Sequence, residues 1–299
     1  MRVRALAVGL AGLAGLALLV GAVPTTAQAR DRALLWTLEG KHNTVYLLGS
    51  IHVLRPSDNS LTPAAESAYQ DAERLLMEID LDAPGLGDAT SLVQAMQSAA
   101  LLPAGQTLRS VLGTDYEDLA ADARRQGVDL ALFDPFAPWF VATLLIQQSL
   151  MELGFDPGLG VEQQLATRAV EDDKLIDGLE TPAEQFAIFA RLTPAQQREF
   201  LRSTLDELED AEADADELLD AWRRGDEAQL ARLLLEAQAQ SPGLYGALTV
   251  DRNRAWVDDL EALLDDRDDY LVVVGALHLV GPQSVVDLLR ARGHRVERR

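Results

Sequence analysis

The sequence predicts a mixed α/β domain: a mostly parallel central sheet flanked by helices, with a helical insertion in the first half. Three observations carry this. Alanine and leucine dominate the apolar residues while aromatics make up only 5% of the 299-residue chain, a balance that favours helices over an all-β fold. The strand-like runs are short, few and far apart, with helical period between them, which is the pattern of a sheet covered by helices. The strongest run, Tyr270 to Val274, is continuous and β-branched, as strands buried on both faces are.

The elements follow in order. The chain opens Met1-Arg2-Val3-Arg4, runs uncharged and apolar from Ala5 to Val23, and then passes Pro24 to the small-residue stretch Thr25 to Ala29. A basic start, an apolar middle and an A-x-A end describe a secretory signal peptide, residues 1–29, cleaved after Ala29. An uncleaved anchor helix is the alternative, since the run approaches spanning length. With cleavage, residues 30–299 form one mature domain, periplasmic or secreted, without stable membrane insertion.

Ala33 to Glu39 and Thr44 to Leu48 flank Gly40-Lys41-His42-Asn43 and predict a β-hairpin. Thr62-Pro63 opens a helix to about Ala72, with Thr as N-cap and Pro at the first helical position. Leu75 to Leu81 is a strand holding Glu78. Residues 88–154 are helical in period, broken at Pro103, Gly113, Gly127 and Asp134-Pro135. The apolar run Trp139 to Leu150 within them is too short to span a bilayer. A loop from Gly154 to Gly160 precedes a helix, Val161 to Asp172, and a short strand, Leu175 to Leu179, that ends at Glu180. Thr181-Pro182-Ala183-Glu184 and Thr193-Pro194-Ala195-Gln196 are capping boxes and start helices. Asp206 to Glu227 predicts an acidic, solvated helix with no loop spacing of the EF-hand type. Helices over Asp251 to Leu264 and Gly281 to Arg292 flank the Tyr270 strand, and Arg295 to Glu297 predicts an edge strand.

Composition excludes several classes. The net charge is −22, and so acidic a surface repels phosphate backbones, which argues against nucleic acid as a partner. There are no cysteines, so disulfides, thiolate metal sites and cysteine nucleophiles are absent.

The candidate chemistry lies at two strand ends. Val45-Tyr46-Leu47-Leu48-Gly49-Ser50-Ile51-His52 and Leu271-Val272-Val273-Val274-Gly275-Ala276-Leu277-His278 share one pattern: four apolar residues, Gly, a small residue, an apolar one, then His. Each predicts a strand that leaves the sheet at Gly and presents His just past its end. In open α/β sheets ligands bind outside the carboxyl ends of the strands, so the two imidazoles are expected to face one crevice. Glu78 sits inside an apolar strand, where an unpaired carboxylate costs several kcal/mol. A metal or a cationic group beside it would remove that cost; pairing with an arginine, or an edge position facing water, are the plainer alternatives. Two His and one carboxylate suit Zn, Mn, Fe or Co. His42 and His294 are expected in exposed loops.

As an ordered set these residues match more. Leu47-Leu48-Gly49-Ser50-Ile51-His52 is followed by Leu61-Thr62-Pro63, then Leu76-Met77-Glu78-Ile79-Asp80. Gly158 to Glu162, Lys174, Gly178-Leu179-Glu180-Thr181 and Gln185 come next, and Arg252-Asn253-Arg254 precedes Gly-Ala-Leu-His. The sequence resembles the TraB/GumN family, which includes the Tiki proteins, over Trp36 to Val296. The resemblance implies a relative of the erythromycin-esterase and ChaN-like folds. It also implies metal-dependent proteolysis by the two G-x-x-H histidines and a glutamate: here His52, His278 and Glu78. Arg252 and Asn253 match the family's arginine-asparagine segment, to which the resemblance attaches no role.

Three function classes compete. In a metal-dependent hydrolase, a peptidase acting on envelope peptide or protein, His52, His278 and Glu78 hold or flank a divalent ion (Mn, Co, Zn or Fe) that activates water. Glu78 or Glu180 takes the water proton, and Arg252 steadies the oxyanion. In a non-catalytic module the imidazoles bind iron or haem, or the protein assists envelope work through contacts. In a metal-independent, esterase-like hydrolase one His is the general base.

Overall fold

The structure is a computed structural model and describes residues 33–58, 61–79 and 96–299. The expected signal peptide, Leu81 and the first residues of the expected insertion lie outside the described residues. The fold is mixed α/β. Six strands form one sheet: β1 Leu35–Glu39, β2 Thr44–Ser50, β3 Arg74–Ile79, β4 Leu175–Glu180, β5 Tyr270–Gly275 and β6 Val296–Arg298, in the order β4-β3-β5-β2-β1-β6. β2, β5, β3 and β4 run parallel, while β1 pairs antiparallel with both β2 and β6.

The order positions the site. β5, although late in the chain, inserts between β2 and β3, so the two G-x-x-H segments become neighbouring parallel strands with Ser50 opposite Gly275. All four parallel strands therefore end on one side of the sheet. β5 is buried along its whole length, as its unbroken Val run requires. Burying each such side chain stabilises the fold by roughly 1.5–3 kcal/mol relative to leaving it exposed.

Local signals hold the helices as expected. Thr62 accepts from the Ala65 N–H and caps Pro63–Asp71. Both capping boxes form reciprocally, at Pro182–Ala190 and Pro194–Glu207. The first-half insertion is helical, with Leu108–Leu112, Tyr116–Arg125 and Pro138–Glu152 among its elements. The last of these buries Trp139, Phe140, Val141 and Ile146 in the core. Among the described residues, no helix is long and apolar enough to cross a membrane.

Three details differ from expectation. The acidic stretch is not one helix: Pro194–Glu207 gives way to a 3-10 turn, Leu208–Asp210, before Ala211–Arg223. The helix expected from Gly281 begins at Val285, because Gly281 and Gln283 both have positive φ and Ser284 provides the cap. His294 is not an exposed loop residue; it is half-buried, with Nε2 2.7 Å from Glu261 Oε1.

Candidate active site

Two polar clusters lie at the carboxyl ends of the parallel strands. The first is built on His52, just beyond β2. Its Nδ1 is 2.8 Å from Glu162 Oε1, and the same oxygen accepts the Ser50 hydroxyl. Glu162 reaches this place through close packing of backbone. Gly160 lies against His52, and a Cβ there would stand 2.1 Å from the His52 carbonyl oxygen. The Val161 N–H donates to Ile51 O at 3.0 Å, and Leu54 bridges Asp156. Thus the helix Val161–Glu171 starts on the His52 segment, and its second residue faces the imidazole.

The second cluster centres on Arg252, in the helix Asp251–Leu263. A π-helical segment, Gly246–Val250, leads directly into that helix; such segments recur at functional sites. Arg252, Asn253 and Trp256 are all buried. The guanidinium grips Glu180, at the end of β4, through Nε (2.9 Å) and Nη2 (2.9 Å). Nη2 also donates to Glu78 Oε2 at 2.7 Å. Nη1 makes only long contacts, 3.4 Å to Leu248 O and 3.3 Å to His278 Nε2. Glu78 Oε1 accepts the Gly275 N–H at 2.8 Å, which ties β3 to the end of β5. Trp256 donates from Nε1 to Glu180 Oε1 at 3.0 Å, packs its ring 4.6 Å from His278 and lies 4.5 Å beneath the guanidinium. His278 Nδ1 is 2.6 Å from Asn253 Oδ1.

The electrostatics bind the clusters into one site. Burial alone would raise the Glu78 carboxyl. Arg252 first, then His278, His52 and the Gly275 N–H, more than offset it and bring Glu78 down to about 2. Burial drives His278 down to about 3; Glu78 opposes this, while Arg252 and His52 add to it. His52 thus acts electrostatically on both residues. At neutral pH Glu78 is ionised and His278 is uncharged.

The structure therefore brings Glu78, Glu180, Arg252 and His278 into contact, with His52 beside them on Glu162. The cationic group that Glu78 needs is Arg252. Sequence reasoning passed over the partners of both imidazoles: Glu162 and Ser50 on one side, Asn253 and Trp256 on the other. Glu162 and Asn253 stood only inside matched family segments, and nothing in their local spacing pointed at a histidine.

The sequence predicts a divalent ion held by His52, His278 and Glu78. The residues as placed do not fit one. Both Glu78 oxygens are engaged, and the Nε2 of His278 faces a guanidinium, which stands where the ion's charge would have to be. Among the described residues no group of three His, Asp or Glu side chains is arranged to hold a metal.

Comparison with known proteins accords with the motif set. The TraB/PrgY/gumN family model matches residues 34–298. The uncharacterized protein YbaP of Escherichia coli (strain K12) and that of Shigella flexneri are each 26% identical over 255 residues, 85% of this chain and 90% of theirs. An uncharacterized protein of Treponema pallidum (strain Nichols) is 24% identical over 285 residues, 91% of this chain and 84% of its own. No solved structure matches significantly.

Proposed function

The chain belongs to the TraB/PrgY/gumN family, and on that premise we propose that it is a hydrolase of amide or ester bonds in which His52 is the general base. One observation carries this: His52 presents Nδ1 to the Glu162 carboxylate at 2.8 Å. A carboxylate on Nδ1 fixes the ring and stabilises the imidazolium formed when Nε2 takes a proton from water. This is the metal-independent alternative that the sequence left open, and its base differs from the carboxylates expected in the metal-dependent one. Glu78, held at about 2, is too weak a base to remove that proton at neutral pH, and Glu180 is committed to Arg252 and Trp256.

Arg252 supplies the positive pole. Its Nε and Nη2 are spent on carboxylates, while Nη1, with contacts of 3.3 and 3.4 Å, is the arm that turns to a developing oxyanion. The substrate is a peptide or protein of the cell envelope, reached through the export signal of residues 1–29. The test is hydrolysis of peptide and ester panels by the purified chain, with and without chelator, beside His52→Gln. Activity that survives chelation and disappears in His52→Gln supports the reading; equal activity in the variant overturns it.

A second reading, a metal-dependent peptidase, has one observation in its favour. Both imidazoles tie Nδ1 to an oxygen, the kind of support that orients metal-ligating histidines. It requires Arg252 to withdraw from Glu78. Stoichiometric metal in the purified chain, lost in both His52→Ala and His278→Ala, would favour it over the first.

A further inference from the structure

The two strand-end histidines arise from the same sequence device but are finished differently. His52 offers Nδ1 to a carboxylate, His278 to an amide. The Asn253 amide has one orientation available: its Nδ2 donates to Gln283 O at 2.9 Å, which leaves Oδ1 facing His278 Nδ1 at 2.6 Å. An amide oxygen only accepts, so Nδ1 carries the hydrogen. At the other edge of the ring Arg252 Nη1, which only donates, faces Nε2 at 3.3 Å, closer than Glu78 Oε1, which lies 3.9 Å away and accepts the Gly275 N–H. Both neighbours demand the same tautomer.

The support continues one residue further. Gln283 has φ +60°, a left-handed conformation unfavourable for a residue with a side chain. Its N–H donates to Asp287 Oδ2 at 2.8 Å, and its Oε1 accepts from Arg254 Nη2 at 2.8 Å. These bonds hold the strained turn that aims the Gln283 carbonyl at Asn253.

We infer that Asn253 is a positioning residue that locks His278 as the neutral Nδ1–H imidazole, with the Gln283 turn holding Asn253 in its orientation. The two histidines then divide the work. His52, on a carboxylate, takes and returns the proton. His278 keeps a fixed lone pair toward Arg252 Nη1 and orients the guanidinium; a hydrogen on Nε2 would confront that donor. The benefit to turnover rests on the hydrolase reading, whereas the tautomer itself does not.

The experiment is nitrogen NMR of the full chain labelled with 15N-histidine, with the His278→Gln spectrum assigning the His278 ring signals among the four histidines. At neutral pH the wild-type chain should show His278 protonated at Nδ1 and bare at Nε2. Asn253→Leu should lose that single-tautomer signature, and Gln283→Gly, which keeps the carbonyl and relieves the strain, should retain it. A hydrogen on Nε2 in the wild-type chain, or an unchanged Nδ1–H signature in folded Asn253→Leu, overturns the inference. The wild-type reading needs no variant to fold. An Nδ1–H signature in a chain that hydrolyses nothing supports this inference and counts against the hydrolase reading alone.

Discussion

His52 Nδ1 and Glu162 Oε1 lie 2.8 Å apart, a contact between the end of a strand and the first turn of a helix that starts far along the chain. It gives the imidazole a fixed ring plane and a negative neighbour. If His52 is the base, His52→Gln lowers kcat about 10²–10⁴-fold, the usual contribution of a positioned base. Glu162→Gln lowers it in the same direction, with KM little changed in both. Steady-state kinetics on whichever substrate the panels identify checks this, and unchanged melting temperatures confirm that the fold is kept.

Arg252 neutralises two carboxylates at once. Removing it strands Glu78, which is only 2% exposed. Arg252→Met is expected to destabilise the chain by about 3–5 kcal/mol, because breaking a buried pair leaves an uncompensated charge. Glu78→Gln in the same chain should restore part of the loss. Urea unfolding of the two single variants and the double variant measures the coupling, and simple additivity would contradict it.

The pH dependence of stability follows from the two shifted groups. His278 is lowered from 6.5 to about 3, so below pH 6.5 the unfolded chain binds a proton that the folded chain refuses. Glu78 is lowered from 4.5 to about 2, so its contribution is present above pH 4.5 and is lost as pH falls toward 2. Both signs agree: stability falls on acidification, first from pH 6.5 and more steeply below 4.5. Denaturant midpoints between pH 8 and 4 test this. In His278→Gln the decline between 6.5 and 4.5 should be shallower than in the wild-type chain.

Two glycines separate close packing from mere flexibility. A Cβ on Gly160 would meet the His52 carbonyl at 2.1 Å, while one on Gly246 meets nothing within 4 Å. Gly160→Ala must push the Val161 helix away from His52, with a cost of about 1–3 kcal/mol and a fall in any His52-dependent activity. Gly246→Ala is expected to be neutral or slightly stabilising. Thermal melts of the two variants distinguish them, and equal behaviour would refute the packing argument.

Much of the framework was legible in the sequence because it is written locally. Thr62-Pro63 and the boxes at Thr181 and Thr193 satisfy backbone donors within one turn, so they start helices whatever surrounds them. The Tyr270 to Val274 run suggested a strand buried on both faces, and Gly49 and Gly275 marked where the two strands deliver their histidines. The ordered motifs also pointed to the family that the chain belongs to. What the sequence alone did not decide is partnership. That β5 lies between β2 and β3, that Arg252 is the cation that answers Glu78, and that one imidazole meets a carboxylate and the other an amide are consequences of topology. Such contacts join residues far apart in the chain, and their identity depends on which faces the sheet order brings together. Periodicity and capping report only on a residue's near neighbours, so they leave those pairings open.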